Sequence, residues 1–224
     1  MKLLRYNSES SWGIILLITL LFTIFVLPAI DLHWQKSLSW ITDALLFLSA
    51  ISTVARRKKM VITLALVALA LEWISDLFNL WLLNSVSKGL NSIFFLLVVV
   101  LLIKQVATSE HVDLKVILGS VIGYLLLGLL FTIVINYIMV HDPAAFQVIQ
   151  AQTREVSEHS WHSESVYFTF VTLATLGYGD IIPLKPYARS LAIFMTVSGQ
   201  LYIAIIIALL VGKFASVRQG KTEG

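Results

Sequence analysis

No cysteine occurs anywhere in the 224 residues, so the chain offers neither a disulfide staple nor a thiolate metal site. Charge is nearly as scarce. Asp, Glu, Lys and Arg make up 13% of the sequence, about half the share of a typical soluble domain. No nucleophile motif, metal-ligand cluster or phosphate-binding loop appears, so an enzymatic reading has no support and no cofactor is implied. Between residues 90 and 103 there is no charged residue at all. The first and second halves show no repeat of each other, which argues against a transporter built from inverted repeats.

Apolar residues fill the space that charge leaves. They form 58% of the chain, and the mean hydropathy is +0.88. A bilayer core of roughly 30 Å takes about 20 helical residues. Six segments reach that length, near 13–31, 38–55, 60–83, 89–106, 115–140 and 187–212. Each is apolar around its whole circumference, as a lipid solvent requires. The sequence therefore predicts an all-α integral membrane protein with six transmembrane helices. The first segment lacks a small-x-small cleavage site, so it reads as a retained span rather than a secretory signal.

The basic residues report orientation. With the N-terminus inside, 11 of the 16 Lys and Arg residues fall on the cytoplasmic side and 5 outside, and residues 56–59 cast the strongest vote. Both termini are then cytoplasmic, and the plasma (inner) membrane is the expected location. The pI near 9.1 does not point to nucleic acid, because the basic residues sit beside spans. Trp12, Trp34, Trp40, Trp73 and Trp81 lie at or near expected helix ends, where interfacial tryptophans anchor a protein in lipid.

One stretch names a chemistry: Thr175, Leu176, Gly177, Tyr178, Gly179 and Asp180. A ring of such loops can replace the hydration shell of a potassium ion with backbone carbonyls. Turning the peptide planes toward an axis takes conformations that glycine reaches without strain. Gly177 and Gly179 supply that freedom on either side of Tyr178, and the Thr175 hydroxyl can complete the innermost ring of ligands. An apolar candidate pore helix at 164–174 precedes the motif, and long apolar helices flank it.

With that motif in that context, residues 115–215 resemble the pore module of tetrameric potassium channels. The resemblance implies an outer helix at 115–140, a turret at 141–163, a re-entrant pore helix at 164–174, a selectivity filter at 175–180 and an inner helix at 187–212. It implies K+ as the only bound metal, held at the filter. With one filter loop per chain, it also implies a homotetramer in lipid. Asp180 matches the acid at the outer mouth. Gly199 falls at the inner-helix hinge position, where either a bend or close packing explains a glycine that costs roughly 1 kcal/mol relative to alanine. Helical spacing from Gln200 puts Ile203, Ile207, Ala208 and Val211 on one face, read as the pore wall. The filter-supporting pair, often Trp-Trp in the family, is Tyr167-Phe168 here. Tyr167 can still reach Asp180, whereas Phe168 offers Tyr178 only ring packing. Val171 stands where some bacterial relatives carry a glutamate paired to the filter aspartate.

The rest of the chain divides into a cytoplasmic N-terminus at 1–12, a four-helix unit at 13–106, a linker at 107–114 and a cytoplasmic tail at 216–224. Four helices before a pore module resemble the voltage-gated plan, but residues 90–103 lack the arginine ladder that carries gating charge. Asp43, Glu72 and Asp76 remain inside the spans, either as a proton or cation site, in a water-filled crevice, or as a relict of a lost sensor. The turret acids Asp142, Glu155 and Glu158 can concentrate cations at the mouth. His159 and His162 could bind a divalent metal or sense protons, against the ordinary alternative of exposed loop histidines. The dozen residues after Gly212 leave no room in this chain for a nucleotide-binding or calcium-sensing domain, so a ligand gate is expected elsewhere. The expected function is passive, potassium-selective conduction without conventional voltage gating. The alternative is a non-conducting or modulatory subunit of other channels, and an ion transporter ranks last.

Overall fold

The computed structural model describes residues 2–30, 32–54, 59–78, 81–109, 112–149 and 158–220, nearly all of them helical. Helix α1 (Lys2–Leu21) widens into a π-helical turn at Phe22–Val26 and ends in a 3-10 turn at Leu27–Ala29. Pro28 is the cause. It lacks an amide hydrogen and its ring crowds the carbonyl four residues back, so the preceding turn opens before the helix stops. Helices α2 (Leu32–Val54), α3 (Lys59–Phe78) and α4 (Trp81–Thr108) follow. The expected third span at 60–83 is thus divided between two helices, and α4 begins eight residues before the expected 89.

The four-helix unit closes on an aromatic centre. Phe47 of α2 stacks on Phe94 of α4 with centroids 4.8 Å apart, and both contact Phe95 at 5.4 Å. Hydroxyls inside these helices bond backward to carbonyls of the preceding turn, as Thr19 does to Ile15 and Thr23 does to Thr19. These two hydroxyls are thereby satisfied without leaving the helix.

Helix α5 (Leu114–His141) opens on Asp113, whose carboxylate accepts the Val116 amide at 3.0 Å and caps the orphan donors of the first turn. It packs against α1, α4 and α6. A short strand β1 (Phe146–Val148) follows, then α6 (Glu158–Leu173), strand β2 (Ile181–Pro183) and α7 (Pro186–Gly220). The strands pair antiparallel, Gln147 opposite Ile182, inside what reads in sequence as an irregular turret. α6 starts six residues before the expected 164, and α7 runs on past the expected 212.

Among the described residues, four helical stretches are long and apolar enough to cross a membrane: Ser11–Ala29, Leu82–Thr108, Leu114–His141 and Pro186–Lys213. α2 and α3 contribute shorter apolar runs, Leu38–Thr53 and Ile62–Ser75. The protein is a mostly helical integral membrane protein.

Candidate ion pathway

α6 stops where a backbone motif stops it. The Leu176 amide donates to Val171 O at 2.9 Å, and the Thr175 amide donates to Thr172 O at 3.0 Å. These are the six-to-one and five-to-two bonds of a Schellman turn, which needs a left-handed residue at its fifth position. That residue is Thr175, at φ 64°. A β-branched residue there is strained by roughly 1–2 kcal/mol, and glycine would be the usual occupant. Gly177 at φ 55° and Gly179 at φ 80° then turn the chain twice more. Sequence reasoning placed the backbone freedom at the two glycines and missed Thr175, whose residue type gives no hint of a left-handed conformation.

Val171 enters through its backbone. Its carbonyl receives the Leu176 amide and, at 3.4 Å, the Gly177 amide, tying the start of the loop to the last turn of α6. Its side chain is half-buried and lines a cavity of about 240 Å³, together with Tyr167, Phe168, Tyr178 and Asp180. The Tyr167 hydroxyl donates to Asp180 Oδ2 at 2.5 Å, while Asp180 Oδ1 accepts the Ile181 amide at 3.1 Å. Phe168 is buried and meets Phe146 of β1 edge-on, at 5.2 Å between centroids. Within one chain its ring therefore supports the turret strand. Tyr178 and Leu176 are left 69% and 58% exposed.

β2 carries the chain away from the loop and holds it in place. Ile149 N donates to Asp180 O at 3.0 Å, and Leu184 N to Ala145 O at 2.8 Å. Asp142, expected to serve as a mouth acid, instead pairs with Lys185 Nζ at 2.5 Å and accepts the Tyr187 hydroxyl. The lysine contact holds the Asp142 carboxyl below the usual carboxylate range, with the tyrosine bond adding to it. The Lys185 ammonium is pushed up in return by the same carboxylate.

Gly199 has a tangible reason to be glycine. A Cβ built there would lie 2.7 Å from the carbonyl oxygen of Leu173, the last residue of α6. α7 runs unbroken through this position. Met195, Gly199, Tyr202 and Ile206 form its buried stripe, at i, i+4, i+7 and i+11. Tyr202 also donates to Ser120 O of α5 at 2.8 Å. Gln200, Ile203, Ile207, Ala208 and Val211 lie on exposed surface, as do Ile193, Val197 and Leu201. Farther along, Lys213 Nζ donates to Ala107 O at 3.1 Å, Ser109 Oγ at 2.9 Å and the Val106 carbonyl. A cation at a helix C-terminus complements the macrodipole, so α7 caps α4.

The other expected site residues are not gathered at the loop. Glu72 accepts from Asn91 between α3 and α4, and Asp43 sits half-buried on α2. The side chains of Asp76 and His159 lie outside the described residues, as do Glu155 and the side chain of Glu158. His162 is half-buried on α6, and among the described residues no group of three His, Asp or Glu side chains is placed to hold a metal.

Residues 128–216 match the family model described as "Ion channel". The match runs from the middle of α5 to near the end of α7 and takes in the loop, leaving α1 to α4 outside it. It supports placing this part of the chain in an ion channel superfamily. No curated protein matches the chain.

Proposed function

We propose that this chain is one subunit of a potassium-selective channel that conducts K+ passively down its gradient. The observation that carries this reading is the loop 175–179, wound off the end of α6 through three positive-φ residues and left largely bare in a single chain. Four copies around one axis would cover Leu176 and Tyr178 and turn the carbonyls inward, where they replace the water around the ion. A strained threonine is kept at 175 because its hydroxyl adds a further ring of oxygens that glycine cannot supply. The C-terminal ends of four α6 helices would point at a common cavity, and their partial negative charges would favour a cation there. The exposed face with Ile203, Ile207 and Val211 would line the inner pore, and the excess of basic residues on the other side puts both termini in the cytoplasm of the plasma (inner) membrane.

The test is ion flux through the purified full-length protein in lipid vesicles, with cross-linking to count the copies. Potassium and rubidium should pass, sodium should not, and the cross-linked ladder should end at four. Tyr178→Asp should weaken the discrimination by disturbing the wall behind the carbonyls. Sodium flux comparable to potassium would remove the filter assignment.

A further inference from the structure

Where α4 ends, four oxygens converge on one ammonium group. The last carbonyls of a helix have no amide of their own helix to receive, so they need partners from elsewhere. Just past Thr108, the last residue of α4, the Ser109 amide turns back to Gln105 O at 3.1 Å. Lys213 Nζ, carried in by α7, serves the oxygens that follow. It donates to the Val106 carbonyl, to Ala107 O at 3.1 Å, to Ser109 O at 2.5 Å and to Ser109 Oγ at 2.9 Å. The Ser109 hydroxyl gives its own hydrogen to Val106 O at 2.9 Å, which leaves its lone pairs to accept from the lysine.

A lysine ammonium has three hydrogens and no acceptor. Four oxygens therefore share three donors, with one hydrogen forked between two of them, as is common at helix ends. Three of the four are carbonyl oxygens, and those of Val106 and Ala107 stand at the negative end of the α4 macrodipole. The result is a cage for a small cation that donates hydrogen bonds. All four oxygens lie within residues 106–109, and α7 contributes only the cation. Cage and occupant are thus 104 residues apart in the chain, counted from Ser109, and can be separated by substitution.

We propose that residues 106–109 form an ammonium-binding site which Lys213 fills from within the chain, tethering α7 to the α4–α5 junction, and which a free ammonium ion occupies when the lysine is removed. The advantage of the lysine is its attachment. A group on the same chain is present at a high effective concentration, which a free ion has to supply from solution. The site is independent of the potassium reading. It lies toward the far end of α7 from the loop 175–180 and uses none of that loop's residues.

The experiment follows amide hydrogen exchange of the full-length protein in phosphatidylcholine nanodiscs at neutral pH. Lys213→Met keeps an apolar stem and loses the charge. It should speed exchange roughly fivefold in 102–109 and in 209–213, the scale on which losing a charge at a helix end shifts an opening equilibrium. Ammonium chloride is then titrated against tetramethylammonium chloride at constant ionic strength. In Lys213→Met, ammonium should restore protection to 102–109 and leave 209–213 fast, because a free ion fills the cage without holding α7. Tetramethylammonium carries the charge but no N–H, so by itself it should restore neither segment. Adding Ser109→Ala removes one of the four oxygens and should raise the ammonium concentration needed for half recovery. The wild type, with its cage already filled, should not respond. Exchange in Lys213→Met at the wild-type rate would overturn the tether. Recovery of 102–109 in tetramethylammonium equal to that in ammonium, or no recovery in either, would overturn the site, as would an ammonium dependence untouched by Ser109→Ala.

Discussion

Thr175 combines a backbone that suits glycine with a side chain that glycine lacks, and the two can be separated by substitution. Thr175→Gly should relieve strain of roughly 1–2 kcal/mol and raise the melting temperature, while lowering potassium-over-sodium discrimination in vesicle flux. Thr175→Ser keeps the hydroxyl and should keep the discrimination. Equal selectivity in both variants would mean that the hydroxyl is not a ligand. Gly199 poses a similar choice, with opposite signs for the two explanations. Were it only a flexible point in α7, alanine would stabilise the helix by roughly 1 kcal/mol. The Leu173 carbonyl 2.7 Å from the added Cβ predicts the reverse. That carbonyl belongs to backbone at the end of α6, so it cannot rotate away as a side chain would. Overpacking there should cost about 1–3 kcal/mol, seen as a lower melting temperature with impaired flux.

At the scale of elements, the loop is braced at both of its ends. The Schellman turn holds its start to α6, and the β1–β2 pair holds its exit to the turret. Asp142, Lys185 and Tyr187 clamp the base of that pair. The sign of its pH dependence follows from the two shifts. Asp142 is depressed, so its contribution is present above the ordinary carboxylate range and is lost as pH falls below it. Lys185 is raised, so its contribution is present below the ordinary ammonium range and is lost as pH rises beyond it. The clamp should therefore hold at every pH between those limits. Asp142→Asn should speed amide hydrogen exchange in β1 and β2 at neutral pH, whereas mild acid should leave the wild type unchanged. Faster exchange of the wild type in mild acid would show that another group holds the strands.

Seen as a whole, the molecule joins the α1–α4 unit to α5–α7 through α4 and α5, with Lys213 of α7 tied to the end of α4. That connection ties the four-helix unit to α7, but α4 carries no arginine ladder for reading voltage. Moving one elementary charge through 100 mV is worth roughly 2.3 kcal/mol, so a steep response needs several charges per assembly. Residues 90–103 hold none. Currents from the reconstituted protein should vary only weakly with voltage, and no large gating charge should precede them. A gating charge of many elementary units per assembly would contradict that expectation.

The sequence by itself determined that the chain lives in lipid and that the backbone turns at Gly177 and Gly179. Both follow from local properties, the length of apolar runs and the conformational freedom of glycine. Tertiary structure decided the remainder. Phe168 turned to Phe146, and Asp142 to Lys185, across separations of 22 and 43 residues that no local pattern records. Thr175 took a left-handed conformation because the hydrogen bonds at the end of α6 demand one of whatever residue stands there. Glu72 acquired an amide partner 19 residues away. A side chain's partner depends on which helices lie side by side, and packing sets that arrangement rather than the identity of either residue.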